Sequence, residues 1–582
     1  MSLHWLDWSL LILFLLISLI IGLRFKKKGE KNIDHFFLGG RNLPWWIAGM
    51  SLVATTFSAD TPLAVTELVA KNGISGNWLW WNMLAGGMLT TFFFAKYWRR
   101  ANVLTDVELI NIRYSGKAAR FLRFFKSIYM GIFMNCVIIG WVNVALVTIL
   151  QVFFNIPESY SLLLVFSIML FVAIYSSLSG LLGVAYTDVI QFIIAMIGCI
   201  VLAILVINTD AIGGVEGLKN KLPAGSLNFL PSISLLESTK TINTFAIGIG
   251  SFFAFIGIQW WASWYPGNEP GGGGYVAQRI MSTKNEKHAI LSTLFFQIAH
   301  YCIRPWPWII VGLCSLVLYP ELASADKKVG YVLIMRDYLP VGLKGLLLVA
   351  FFAAYMSTIS TQLNWGASYL VNDIYKPYKK NSSDKKLVWV SRWVTIAIML
   401  LSLISTYYIT SISKAWELIM ECGAGLGLVL ILRWYWWRIN AWSEITATIV
   451  PFILFSISKF IFKWEFPFSF FFIVGGTTIS WIIATFLTPA TSIEKLKNFY
   501  SLIQPDGWWK PIQIQIGGIH KKSNLRFVFI CWIASILLIY SFLFLIGNII
   551  FHQWNWVWID IASILLSYFI LTFFAKKTKL FE

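Results

Sequence analysis

A chain of 582 residues that is 58% hydrophobic, with a mean hydropathy of +0.71, is excluded from the soluble class, because its apolar residues fall in long blocks. The formal net charge of +19 invites a nucleic-acid reading. The Lys and Arg residues sit in short connections between apolar spans, so the charge reads as positive-inside topology, and nucleic acid is not an expected partner.

Spans of membrane length are predicted at 5–23, 45–70, 77–98, 123–152, 160–180, 184–207, 243–265, 290–318, 342–374, 388–410, 414–437, 441–462, 467–487, 526–549 and 554–575, about fifteen in all. The first has its basic run, Arg24, Lys26, Lys27 and Lys28, after the apolar stretch. It therefore reads as a retained helix and not as a signal peptide. With the N-terminus outside, every second connection is basic, from residues 24–31 to Lys576, Lys577 and Lys579 at the cytoplasmic C-terminus. This places the chain as a multi-pass protein of the plasma (inner) membrane. Trp5, Trp8, Trp45, Trp46, Trp434, Trp436, Trp437, Trp508, Trp509, Trp554 and Trp556 lie at span ends and read as an interfacial belt. Cys136, Cys199, Cys302, Cys314, Cys422 and Cys531 fall in apolar spans without C-x-x-C spacing, and read as buried free thiols.

Two polar interruptions stand out within these spans. Ala54-Thr55-Thr56-Phe57-Ser58-Ala59-Asp60-Thr61-Pro62 combines small and hydroxyl residues with a proline, which lets a helix open in mid-membrane. Ala353-Ala354-Tyr355-Met356-Ser357-Thr358-Ile359-Ser360-Thr361-Gln362 supplies hydroxyls. Freed carbonyls and hydroxyls together make an oxygen cage for a hard cation, and broken helices at the midplane point to a secondary transporter.

With these residues, and with Phe36-Phe37-Leu38-Gly39-Gly40-Arg41-Asn42-Leu43-Pro44, Gly183-Val184-Ala185-Tyr186-Thr187-Asp188, Gln278-Arg279 and Trp437-Arg438-Ile439-Asn440, the chain resembles the sodium–solute symporter family over roughly 5–487. Members of that family carry sugars, proline, sialic acid, iodide, vitamins or short organic acids. The resemblance implies an all-α polytopic membrane protein. Its LeuT-type core would consist of two inverted five-helix repeats, with core helices 1 and 6 broken. The organisation implied is a symporter unit over 1–487 (leading helix 5–23, core 45–437, trailing helices 441–487). A cytoplasmic or interfacial loop over 488–525 would follow, then two extra C-terminal helices with a basic tail over 526–582.

Carried over by motif, the family's sodium site falls on the carbonyls of Ala54, Phe57 and Ala354 and the hydroxyls of Ser357 and Thr358. Five neutral oxygens suit a monovalent hard cation. Back-bonding of the two hydroxyls within their own helix is the structural alternative. Asp188 is the second candidate for cation coupling, or a helix N-terminal carboxylate. Substrate candidates are Asp60, Thr61, Trp81, Asn82, Trp260, Trp261 and Arg304. Trp80 and Thr61 replace the acidic and His contacts of sugar carriers, and Trp260 stands for the gating Tyr if 259–263 is the break of core helix 6. Arg304 reads either as a clamp for a substrate carboxylate or as a permanent partner of Asp60 or Glu67. His300 reads as a hydrogen-bonded packing residue, and Glu417 as a partner of Lys414. The segment 266–274 is given no role beyond a flexible cytoplasmic hinge.

The function so implied is sodium-coupled symport of a small organic solute by alternating access, with Na+ as coupling ion, no organic cofactor, the lipid bilayer and the solute as partners, and a monomer as the working state. The chemistry is not enzymatic. A proton-coupled carrier of the same fold is the runner-up, since Asp60, Glu67 and Asp188 titrate. A polytopic membrane enzyme or a transporter-like sensor is more distant. The first would need a catalytic partner for His300, and the second a signalling domain.

Overall fold

A computed structural model describes residues 3–234, 246–267, 269–323, 326–409, 412–517 and 523–578. The side chains of residues 233, 234, 246, 247, 413, 414 and 417 lie outside that description, and with them the expected pairing of Glu417 with Lys414. Apart from two three-residue strands, Ser232–Ser234 and Ala246–Gly248, the described regular structure is helical. Ten of the described helices are long and apolar enough to cross a membrane. The longest, Glu158–Ile207, contains Gly180 at φ 59°, which divides it into core helices 4 and 5. A Cβ on Gly180 would sit 2.5 Å from the Phe36 carbonyl oxygen, so both the left-handed backbone and the contact demand glycine.

Three helices are interrupted at depth. Core helix 1 runs over Trp45–Thr55, opens at 56–59 and resumes over Asp60–Asn72. Pro62 lies in the first turn of the second half, where its missing N–H costs nothing. Core helix 6 ends at Ala262 and resumes over Gly274–Met281. Core helix 10 is divided into Ile412–Cys422 and Leu426–Tyr435, an interruption the sequence reading missed. The last two breaks satisfy each other's backbone. The Gly425 N–H donates to the Ala262 carbonyl at 2.9 Å and the Trp264 N–H to the Gly423 carbonyl at 3.2 Å. Glycine permits the approach, because a Cβ on Gly427 would lie 2.1 Å from the Trp261 carbonyl oxygen. Unwound backbone at this depth is thus paired within protein, as a bilayer requires.

The segment 266–274 corrects the hinge expectation. Its described residues are buried, and they form the unwound middle of core helix 6. Gly267, Gly271, Gly272 and Gly274 all have positive φ. The Gly271 carbonyl accepts the indole N–H of Trp98, and the Gly274 N–H donates to Asp106. A tract whose backbone is held by core partners is a packed joint and not a loose loop.

Helices outside the core brace it. The leading helix, Trp5–Gly29, carries a buried Asp7 whose Oδ1 accepts the N–H groups of Gly342 and Gly345. Asp7 therefore caps the N-terminus of core helix 8, Leu343–Ser368, in trans. The helix Leu525–Ile550 binds the core through Trp532 Nε1 to the Ala85 carbonyl and Tyr540 Oη to the Trp81 carbonyl. Within 488–525, the short helices Ile493–Ile503 and Lys510–Ile516 enclose the guanidinium of Arg113 between Phe499, Trp509 and Tyr114. Trp434 and Trp509 are fully buried in this contact, so they do not belong to the interfacial belt. All six cysteines are buried and free.

Candidate functional site

The two polar interruptions meet. The Thr358 hydroxyl lies 2.8 Å from the Thr55 carbonyl across the gap, and 3.2 Å from the Ala354 carbonyl on its own helix. Its single proton therefore bridges core helices 1 and 8 or bonds back, but not both at once. Thr55 and Thr361 join their hydroxyls at 3.0 Å. The Ala54 carbonyl lies in the last turn before the opening of core helix 1, where it accepts the Phe57 N–H at 3.1 Å, and Phe57 lies in the opening itself.

Ser357 does not back-bond. It donates to Asp188 Oδ1 at 2.7 Å, leaving its lone pairs available to a cation. Asp188 also accepts from Ser51 at 2.5 Å, and the Arg279 guanidinium lies 3.8 Å away. Arg279 itself donates to Ser51, to the Gln278 amide oxygen and to Thr361 at 2.6 Å. Asp188 and Arg279 are fully buried. Asp188 lies well inside its helix, so the reading as a helix N-terminal carboxylate does not hold. Sequence reading treated Gln278-Arg279 only as a motif, since nothing local shows that a guanidinium beyond the break of core helix 6 will reach Asp188.

Beside this network is a cavity between core helices 1, 6, 8 and 10 and core helices 2 (78–101), 3 (Gly116–Phe154) and 7 (Glu286–Leu318). Its lining includes Thr56, Ser58, Asp60, Thr61, Trp80, Tyr265, Gly267, His300, Arg304 and Trp416. A π turn at Ala299–Ile303 sets the polar group of core helix 7: the Arg304 N–H reaches back five residues to the Ala299 carbonyl at 3.3 Å. Pro305 follows and has no N–H to give, which favours this wider turn. Arg304 donates to Thr56 at 3.1 Å and lies 3.0 Å from His300 Nε2, while His300 Nδ1 lies 3.1 Å from the same Thr56 hydroxyl. Its guanidinium lies over the rings of Trp80 and Trp308. Among the described residues no carboxylate comes within ion-pair distance of Arg304. Glu67 is bonded to Lys71 instead.

Four expected substrate residues are displaced. Trp260 turns its ring to Trp532 on the helix Leu525–Ile550, with centroids 5.5 Å apart, and it does not line the cavity. Trp261 is likewise outside the lining, and both indoles bond back four residues within their own helix. The helix continues through 259–262, so these residues stay on its surface, and the chain opens only from Ser263. Tyr265 and Tyr275 face the cavity in their place. On core helix 2, Trp81 is fully buried among neighbouring aromatics, and the Asn82 amide bonds back to the carbonyls of Trp78 and Leu79. Trp80, one position earlier and 100° around the helix, lines the cavity.

Gly267, which lines the cavity, gives a direct test. A Cβ on Gly267 would lie 2.3 Å from the Tyr275 hydroxyl oxygen and 2.9 Å from Thr56 Cγ2, at φ +90°. Gly267→Ala is expected to lower the melting temperature through about 1–2 kcal/mol of left-handed strain plus the overlap. It should impair uptake more than Gly475→Ala, whose Cβ meets nothing within 4 Å. Paired thermal-unfolding and uptake measurements check this.

The model of the sodium:solute symporter family matches residues 36–450. The chain belongs to that family. It is 27% identical over 480 residues to the sodium/glucose cotransporter of Vibrio parahaemolyticus, covering 77% of this chain and 84% of that one. It is 28% identical over 431 residues to the sodium/sialic acid symporter of Aliivibrio fischeri, covering 71% and 78%. A solved Na+-coupled sialic acid symporter, in a substrate-bound outward-open state, superposes with a TM-score of 0.67 at 21% identity, over 84% of this chain and 100% of that one. That likeness shows the fold, the LeuT-type core in a multi-pass membrane protein.

Proposed function

We propose that the protein is a sodium-coupled symporter of a small carboxylate-bearing solute, working by alternating access in the plasma membrane with its C-terminus cytoplasmic. The supporting observation is the closure of the core helix 1 break onto core helix 8 through Thr358 and the Thr55 carbonyl. The neutral oxygens of Ala54, Phe57, Ala354, Ser357 and Thr358 fit a hard monovalent cation as cargo. No net charge is buried with an occupied site other than that of the ion itself.

A bound sodium ion would replace the Thr358 to Thr55 hydrogen bond as the tie between the two helices. Its departure would leave that weaker link alone to hold the break shut. Solute in the adjoining cavity touches both sides of the same break, through Thr56, Ser58 and Thr61 on core helix 1 and through Gln362 on core helix 8. Each ligand thereby favours the geometry that the other needs, and the coupling is reciprocal in free energy. Asp188 is proposed as the group that sodium passes next. Its tie to Arg279 then sets how strongly it competes for the ion.

The Arg304 guanidinium is proposed as the carboxylate clamp. Its partners are a hydroxyl, an imidazole and two indole faces, and its buried Nε has no hydrogen-bond partner. The measurement that tests the proposal is uptake into proteoliposomes of purified protein under an inward sodium gradient, then under a proton gradient without sodium. Uptake driven by protons alone would favour the proton-coupled carrier.

A second test separates the two aromatic positions on core helix 6. Trp260→Ala should leave the apparent solute affinity within about twofold, because its ring packs on Trp532 of the helix Leu525–Ile550 and not on the cavity. Tyr265→Ala should weaken it roughly tenfold by removing a buried ring from the cavity wall. Equal effects would contradict the assignment.

A further inference from the structure

Asp60 has no place in the sodium site or in the carboxylate clamp, yet it lines the same cavity as Arg304. Asp60 is 3% exposed and Arg304 2%. Neither has an ion-pair partner among the described residues, and they are not within 4.0 Å of each other. These opposite charges attract each other across one poorly solvated space but are too far apart to pair in contact, so each gains from a ligand group of opposite sign. A bare carboxylate solute would satisfy Arg304 and strand Asp60. A neutral sugar would satisfy neither. The species that satisfies both carries a carboxylate at one end and a cationic nitrogen at the other.

We propose that the solute is a small zwitterion, its carboxylate read by Arg304 and its ammonium or quaternary ammonium read by Asp60. This rests on the reading of Arg304 as a carboxylate clamp. Two further features favour it. Tyr265 and Trp416 line the cavity, and aromatic rings attract ammonium groups whether or not these carry N–H donors. Asp60 is the first residue of the half-helix that resumes after the break. A cation bound there therefore grips core helix 1 just beyond the opening that carries Ala54 and Phe57.

The experiment is a thermal-shift and competition-binding series in sodium chloride with purified full-length protein. Its probes are L-alanine, L-proline, L-leucine and glycine betaine. The deaminated counterparts are propionate, cyclopentanecarboxylate and 4-methylpentanoate, the decarboxylated ones are ethylamine, pyrrolidine and isoamylamine, and D-glucose is added. Ligand binding to the folded protein raises its apparent stability by mass action. In at least one matched set the zwitterion should bind roughly tenfold to a hundredfold more tightly than either singly charged relative. Binding of glycine betaine ahead of the amino acids would identify a quaternary head, and the reverse a primary or secondary amine.

In Asp60→Asn the advantage of the zwitterion over the deaminated acid should vanish. Asp60→Glu, which keeps the charge, should retain it. If wild-type protein binds the deaminated acid as tightly as the amino acid, the zwitterion inference fails and the carboxylate clamp stands. If amine or glucose binds as tightly as any acid, the clamp fails as well. A protein that shows a sodium-induced shift but binds none of the zwitterions overturns the inference. So does an Asp60→Asn protein that loses stability without any change in ligand preference, since Asp60 would then serve only its own helix.

Discussion

Replacing Ser357 and Thr358 together by alanine is expected to abolish sodium-dependent uptake while the protein remains folded. Two of five proposed ligands are lost, each a hydroxyl bonding a charged species and worth about 1.5–3 kcal/mol. Sodium affinity should fall roughly a hundredfold or more. The fold should survive because the remaining partners carry the network. Asp188 keeps Ser51 and the nearby Arg279, and the Thr55 side chain keeps Thr361. The Thr55 carbonyl loses its cross-helix donor, which predicts a destabilisation of about 1–3 kcal/mol. The single variants divide the effect. Thr358→Ala removes the direct tie between the two helices, whereas Ser357→Ala also frees an oxygen of Asp188. Sodium-dependent thermal shift and sodium-driven uptake are the measurements. A double variant with unchanged sodium dependence would refute the assignment.

Arg304→Lys is the second change of large expected effect. Lysine keeps the charge but has one nitrogen, so it cannot hold Thr56, His300 and a carboxylate in a planar fork. Solute binding should weaken by about 1.5–3 kcal/mol, the range for hydrogen bonds to charged groups, with sodium binding largely intact. Arg304→Ala should lose more, because the Trp80 and Trp308 faces lose the guanidinium and the Thr56 to His300 contact loses its third member. Binding measured at fixed sodium separates the two ligands. A neutral solute bound equally by wild type and Arg304→Lys would make Arg304 an internal structural partner.

How the candidate site divides between sequence and fold follows from the range of the forces involved. The membrane class, the opening of core helix 1 and the hydroxyl-rich stretch of core helix 8 were legible in the sequence. They follow from local properties: apolar run length against bilayer thickness, the missing N–H of Pro62, and the side-chain types around it. The family resemblance, carried by motifs in order, was legible for the same reason, and the family model matches over 36–450.

Only the tertiary structure decided what depends on helix phase and on distant partners. A one-residue difference in phase, 100° around a helix, put Trp80 on the cavity and Trp81 in the packing. The break of core helix 6 falls after Ala262 because its freed N–H and C=O groups find those of the core helix 10 break, 160 residues onward in the chain. No pattern around Trp260 encodes that pairing. The glycine tract at 271–274 reads alone as slack chain. In the fold, the same absence of Cβ atoms lets backbone pack against Trp98, Leu430 and Glu269. The charges follow the same rule. The sequence by itself placed Asp60, Asp188 and Arg304 within predicted spans, where they need compensation, and left Arg279 in a basic connection between spans. The fold alone decided that Asp188 lies beside Arg279, while Asp60 and Arg304 face each other across a shared cavity without an ion pair in contact, because a bilayer forces charges to be neutralised but leaves the choice of partner to packing.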